Sequence, residues 1–232
     1  MLGLGIGFYK LGGNDYPGGW SPKELGNLLN WYKFDTGQTI NGEGNVTEWA
    51  DQEGSNHLAA SGDAETSPTG TDGAVVFDSA GDIMDFTDEL SLGTFSIYMR
   101  CEFDGFNSEN MIEKGATDFI KLQTSSTVRL KIDNNRHDYN LPATISNDTK
   151  FNLGWERENT GDSVDDRVSI FLNGVVGTQS GTGDGTQVIT DLLTLERLGK
   201  PTQDSKWYEI VICSDALSDA DRALLNTYFD SI

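Results

Sequence analysis

The 232-residue sequence predicts an all-β fold: a two-sheet antiparallel jelly-roll sandwich with a short N-terminal helix and a C-terminal helix. Three observations carry this. Apolar and polar residues alternate over short runs that recur at short intervals with no long helical pattern between them, which favours stacked antiparallel sheets over a parallel α/β sheet. In Arg167 to Val176 the inward set Val168, Ile170 and Leu172 ends at Asn173-Gly174, the dipeptide that a two-residue type I′ hairpin turn needs. Finally, glycine is plentiful (27) and proline scarce (5), the balance of a chain with many tight turns.

Two units are expected: an arm over residues 1–20 and one domain over residues 21–232. In the arm, Leu2, Leu4, Ile6 and Phe8 alternate with glycine, which opposes helix and leaves an apolar ribbon that must dock, either along its own domain or into a neighbouring subunit. Ser21-Pro22-Lys23-Glu24 has the form of a capping box with proline at the first helical position, predicting a short helix to about Leu28 or Leu29. Strands are expected at Trp31–Phe34 and Val75–Asp78. The run Phe95–Phe103 should be half-buried, with Phe95, Ile97, Met99, Cys101 and Phe103 inward and Ser96, Tyr98, Arg100 and Glu102 outward. Further strands are expected at 119–123, 127–132, 151–157, 192–198 and 208–213. Ser218 and Asp221 form a capping pattern, and Leu224, Leu225, Tyr228 and Ile232 make the stripe of a terminal helix packed on the sandwich.

A formal charge of −21 makes nucleic acid and anionic membrane poor partners, because both demand clustered Lys and Arg. Cys101 and Cys213 fall in apolar strand patterns and are expected to be buried thiols. The apolar start at Met1–Leu11 is interrupted by glycine and lacks a basic leader, so it reads neither as a signal peptide nor as a span.

Several segments, in order, resemble one family. They are Leu29-Asn30-Trp31-Tyr32-Lys33-Phe34; Trp49-Ala50-Asp51-Gln52 with Gly54 and Asn56-His57; Val75-Val76-Phe77-Asp78; Ile170 to Val176; and Tyr208 to Ile212 running into Ala216-Leu217-Ser218-Asp219-Ala220. Together they are similar to laminin-G-like domains of the concanavalin A-like jelly-roll superfamily. The opening Met1-Leu2-Gly3-Leu4-Gly5 before such a domain is also similar to virion structural proteins of marine tailed phages. That resemblance implies a non-enzymatic bacteriophage capsid-decoration or appendage subunit. It would be made in the host cytoplasm, assembled in many copies with other virion proteins, and anchored by its arm. The alternative it leaves open is a carbohydrate-binding adhesin module with a host glycan as partner.

For catalysis the superfamily's glucanases imply Glu-x-Asp-x-Glu on one strand. Here Glu102-Phe103-Asp104 begins the pattern and Phe106 replaces the third acid, so no enzyme is expected. For metal, the resemblance places Asp51, Asn56 and Glu209 where relatives gather calcium ligands, although Glu53 stands where the family usually has serine. The competing reading is that Asp51 and Asn56 bond their own turn. Trp20, Trp49, Trp155 and Trp207 are the candidates for a sugar-stacking aromatic. Lys121, Arg129, Lys131 and Arg136, opposed in sequence by Asp133, make a positive strip, read either as a solvated strand face or as a docking surface for an acidic subunit.

Overall fold

The computed structural model describes residues 19–71, 73–79, 81–158, 167–183, 191–199 and 204–232. The arm residues Leu2, Leu4, Ile6 and Phe8 lie outside them. Two antiparallel sheets stack face to face, as the alternation predicts.

The eight-stranded sheet contains β1 (Leu28–Tyr32), β5 (Thr69–Thr71), β6 (Ala74–Phe77), β8 (Phe95–Phe103), β13 (Phe151–Arg157), β14 (Val168–Leu172), β15 (Val175–Val176) and β18 (Ser205–Cys213). Its order is β15-β14-β13-β8-β18-β6-β5, and β1 pairs with the second half of β18. The ten-stranded sheet runs β16-β12-β11-β10-β9-β17-β7-β4-β3-β2. Its members are β2 (Gln38–Ile40), β3 (Val46–Trp49), β4 (Leu58–Ala59), β7 (Ile83–Leu92), β9 (Glu109–Lys114), β10 (Asp118–Thr124), β11 (Thr127–Ile132), β12 (Asn135–Asn140), β16 (Thr178–Gly183) and β17 (Leu193–Gly199).

The hairpin at Asn173-Gly174 forms as expected, with φ of +51° and +77° at the two turn residues and Leu172 paired to Val175. A second hairpin of the same kind joins β11 to β12 through Asp133 (φ +45°) and Asn134 (φ +67°). The main core lies between the sheets and includes Trp49, Trp155, Trp207, Phe77, Phe95 and Phe103, all with no exposed surface.

Three expectations change. The segment after Ser21 makes only a 3₁₀ turn over Pro22–Glu24, without a side-chain cap, because the backbone turns extended at Leu25 and is taken into β1 from Leu28. Strand β8 is buried on both faces, not one. The cause is the terminal helix α1 (Asp219–Phe229), which lies on the outer side of the eight-stranded sheet and buries Leu225, Tyr228 and Phe229 against Trp31, Tyr98, Phe171 and Val211. Ser218 caps α1 through the backbone N–H of Asp221, but Leu224 points outward rather than joining the stripe. Cys101 and Cys213 are buried free thiols. No described helix is long and apolar enough to cross a membrane.

Candidate binding face

Residues directly opposite one another on antiparallel strands share a sheet face. That rule and the register of β9 to β12 arrange the outer face of the ten-stranded sheet as two rows. One row runs Glu113, Phe119, Lys131, Arg136. The other runs Asn110, Lys121, Arg129, Asp138. Ile120, Leu122, Val128, Leu130 and Ile132, at the intervening positions, are fully buried in the core, so the alternation in sequence dictates what the face presents.

The structure thus gathers Lys121, Arg129, Lys131 and Arg136 on one surface. Their acidic neighbours on it are Asp138 and Glu113, the latter accepting from Asn110; Asp133, the acid adjacent to them in sequence, sits in the β11–β12 turn. Arg129 donates to Asp138 through Nε (2.7 Å to Oδ1) and Nη2 (3.1 Å to Oδ2), and Arg136 donates through Nε to the same Oδ2 (3.0 Å). Burial raises the Asp138 carboxyl, but the bonds and charges of both arginines outweigh it and hold it at about 2. One carboxylate therefore serves two guanidinium groups.

The lysines are placed differently. Lys131 Nζ donates to the carbonyl of Ala116 (2.7 Å), and the Nζ of Lys121 and of Lys131 each lie 5.7 Å from the centroid of the half-buried Phe119 ring. Among the described residues neither ammonium has a carboxylate within ion-pairing distance. Burial, and then the charge of Arg129, push the Lys121 ammonium down from its ordinary value. Beside Lys121, Asn110 Oδ1 and Gln123 Oε1 are buried amide oxygens with no hydrogen-bond partner.

Phe119, Asn110 and Asp138 were absent from the sequence-level site. Phe119 could have been found, since it shares parity with Lys121 and Gln123 on β10. Asp138 could not, because Asn135–Asn140 is too polar to read as a strand. Three of the four tryptophans considered for sugar stacking, Trp49, Trp155 and Trp207, are core residues with no exposure, and Trp20 packs edge-on against Tyr228 at 5.9 Å.

The residues considered for calcium are engaged by the protein. Asp51 Oδ1 accepts from the N–H of Trp31 (2.9 Å) and of Glu53 (3.0 Å), and Oδ2 from Asn30 (2.8 Å). Asn56 exchanges two hydrogen bonds with the backbone of Asp88. Glu209 is fully buried and accepts from Trp31 Nε1, Phe34 N–H and Tyr228. Trp31 thus stands between Asp51 and Glu209. Among the described residues no three His, Cys, Asp or Glu side chains are grouped as metal donors.

On the other sheet, Glu102 and Asp104 line an open pocket of about 280 Å³ together with Asp148, Asp204 and Lys206. Glu102 accepts from Lys206 (2.6 Å) and from the Tyr208 hydroxyl (3.0 Å). Burial pushes its carboxyl up, but these bonds and the charges of Lys206 and Lys150 win and hold it below the usual range. A glycosidase acid needs the opposite shift. Asp204 does shift upward, through burial and then the charges of Asp104 and Asp78.

No family model matches the sequence, and no curated protein does either. Solved structures do share its fold. Trypanosoma rangeli sialidase, in complex with a difluoro-KDN ligand, is 10% identical with a TM-score of 0.58 over 88% of this chain and 33% of its own. The binding domain of Paraclostridial Mosquitocidal Protein 1 is 13% identical with a TM-score of 0.57 over 89% of this chain and 52% of its own. A botulinum neurotoxin type C structure is 13% identical with a TM-score of 0.55 over 88% and 51%. This chain therefore spans a third to a half of those chains, and at these identities the likeness is one of fold.

Proposed function

We propose that this chain is a carbohydrate-binding module, and that the outer face of its ten-stranded sheet is the binding surface. The observation that carries the reading is the register: it sets a half-buried aromatic ring, Phe119, amid amide, ammonium and guanidinium groups on a rigid scaffold. Sugars are bound by this combination, an apolar ring against the C–H face of the pyranose and fixed polar groups for its hydroxyls. The sandwich is also shared with proteins whose structures concern glycans: the sialidase has been solved with sialic acid, and botulinum neurotoxin type C enters cells in dependence on two ganglioside molecules.

A glycan array probed with the whole chain tests the proposal. Binding to at least one glycan, weakened by Phe119→Ala in a variant that melts like the parent, is the expected result. Silence across the array removes it. Running the array with calcium and with chelator shows whether binding needs calcium, and Asp51→Asn then tests whether the Asp51, Asn56 and Glu209 set is where it acts. Release of reducing sugar that Glu102→Gln abolishes would instead point to hydrolysis at the Glu102 pocket.

Display on a virion is a companion reading, favoured by the alternation of Leu2, Leu4, Ile6 and Phe8 with glycine ahead of the sandwich. It makes residues 1–20 an anchor and the sandwich the displayed part. Deleting residues 2–20 should then leave a folded chain that no longer joins particles, and unchanged incorporation would remove the anchor.

A further inference from the structure

Resting on the carbohydrate reading, the geometry points to a carboxylated sugar as the ligand of this face, its carboxylate held by Lys121 and Lys131 beside the Phe119 ring. The first support is charge. In a chain with 37 acidic and 16 basic residues, four basic side chains share one small surface, on which Asp138 already serves both arginines and Glu113 accepts from Asn110 (2.6 Å) rather than from either lysine. Lys121 and Lys131 approach the same ring from neighbouring strands and have no carboxylate partner among the described residues. A ligand carboxylate placed there meets two ammonium groups at once, and the ring lies where the sugar's C–H face would rest.

The second support is independent of charge. Asn110 Oδ1 and Gln123 Oε1, on the Lys121 side of the face, are buried acceptors without donors. Buried acceptors are costly to leave unmade, and sugar hydroxyls are donors of the right kind, reaching these enclosed oxygens once the Asn110 or Gln123 side chain turns toward the face. Asn110 and Gln123 each donate one N–H, to Glu113 and Ser108 respectively, while their oxygens accept from no group among the described residues.

The surroundings narrow the class further. Beyond Phe119 the row continues through Glu113 to Arg197, which is ion-paired to Asp85 (3.1 Å), and the whole chain carries −21, so a dense polyanion such as nucleic acid is disfavoured by the overall charge. A saccharide with one carboxylate per residue, uronic or sialic in type, presents a single charge and several hydroxyls, which is the pattern the face offers.

The test is calorimetric titration of the whole chain with sialyllactose and with a galacturonate oligomer, against lactose as the neutral counterpart. At least one acidic saccharide is expected to bind ten-fold or more tighter than lactose, and to weaken as salt rises from 50 to 500 mM. Lys121→Gln with Lys131→Gln should lower that affinity at least ten-fold with unchanged melting. Lys206→Gln, on the opposite sheet, should leave it alone. Equal binding of lactose overturns this inference while the carbohydrate reading stands; no binding to any glycan sinks both. Acidic-sugar affinity indifferent to the double variant overturns it as well, as does sedimentation showing that the two lysines instead hold a second copy of the chain.

Discussion

Arg129 and Asp138 face each other directly across β11 and β12, joined by two hydrogen bonds of 2.7 and 3.1 Å, the fork-on-carboxylate arrangement that fixes both side chains. The pair sets the charge of the candidate face. It also leaves an acid signature. The Asp138 carboxyl sits at about 2 in the folded chain, below its unfolded value of about 3.9, so its contribution is fully present above pH 4 and is lost as pH falls towards 2. Asp138→Asn should cost roughly 1–2 kcal/mol at pH 7 and nothing comparable at pH 2. Urea denaturation at both pH values measures this, and an equal cost at both would contradict it. The same variant frees two guanidinium groups and should raise affinity for an acidic saccharide.

Glu209 titrates in the other direction. Burial lifts its carboxyl, and although bonds from Trp31, Tyr228 and the Phe34 N–H and the charge of Lys33 pull it back, it stays at about 7. A carboxyl raised on folding binds a proton that the unfolded chain has given up. Its contribution is therefore present below about pH 4.5 and is lost as pH rises towards 7. Glu209→Gln should remove this component: relative to the parent, the variant gains melting temperature by several degrees between pH 5 and pH 8. A constant difference between the two proteins over that range would refute the assignment.

Much of this was legible in the sequence, and the exceptions have physical causes. The Asn173-Gly174 hairpin, β11, β13 and the capped terminal helix announce themselves because turn chemistry, alternation and capping agree. Strand β7 does not: its inward residues Met84, Phe86, Leu90 and Leu92 are interrupted by Thr87-Asp88-Glu89, where the pairing with β17 shifts register between Leu90 and Asp85. The turn at Asp133-Asn134 lacks glycine, so the strip on β10 and β11 was visible while its partner strand β12 was not. Both faces of β8 are buried because a helix far along the chain returns to cover it, a contact no local pattern encodes.

That cover depends on Gly154. It stands opposite Tyr98 on β8 and Phe171 on β14, and a Cβ there would lie 2.2 Å from the Tyr98 ring. Tyr98 cannot swing aside freely, since its hydroxyl donates to Glu156 (2.6 Å) and its ring stacks on Phe171. Gly154→Ala should destabilise the chain by about 1–3 kcal/mol. Gly115, which has open space around it, tests the specificity of the argument: its φ of +58° makes alanine there a problem of backbone strain alone, with no tyrosine to displace. Tyr98→Ala should rescue much of the Gly154→Ala defect in a double-mutant cycle and nothing at Gly115.

The same layer is held by two ion pairs among the described residues, Arg100 to Asp230 at the end of the helix and Arg222 to Glu156 within it, and the second is the more buried. Arg222 of α1 donates to Glu156 through Nε (3.0 Å) and Nη2 (2.8 Å), and its guanidinium lies 4.2 Å over the Phe171 ring. Glu156 is 1% exposed, so Arg222→Ala would strand a buried carboxylate with only the Tyr98 hydroxyl beside it. Breaking one side of such a pair costs about 3–5 kcal/mol, because the remaining charge keeps its desolvation penalty. Removing both charges should cost less than removing one: Glu156→Gln with Arg222→Met is expected to recover most of the loss. Arg222→Lys should fall between, keeping the charge but not the fork or the flat contact with Phe171. Chemical denaturation of the four proteins orders them parent, double variant, lysine, alanine. An alanine variant as stable as the double would show that solvent, not the helix, neutralises Glu156.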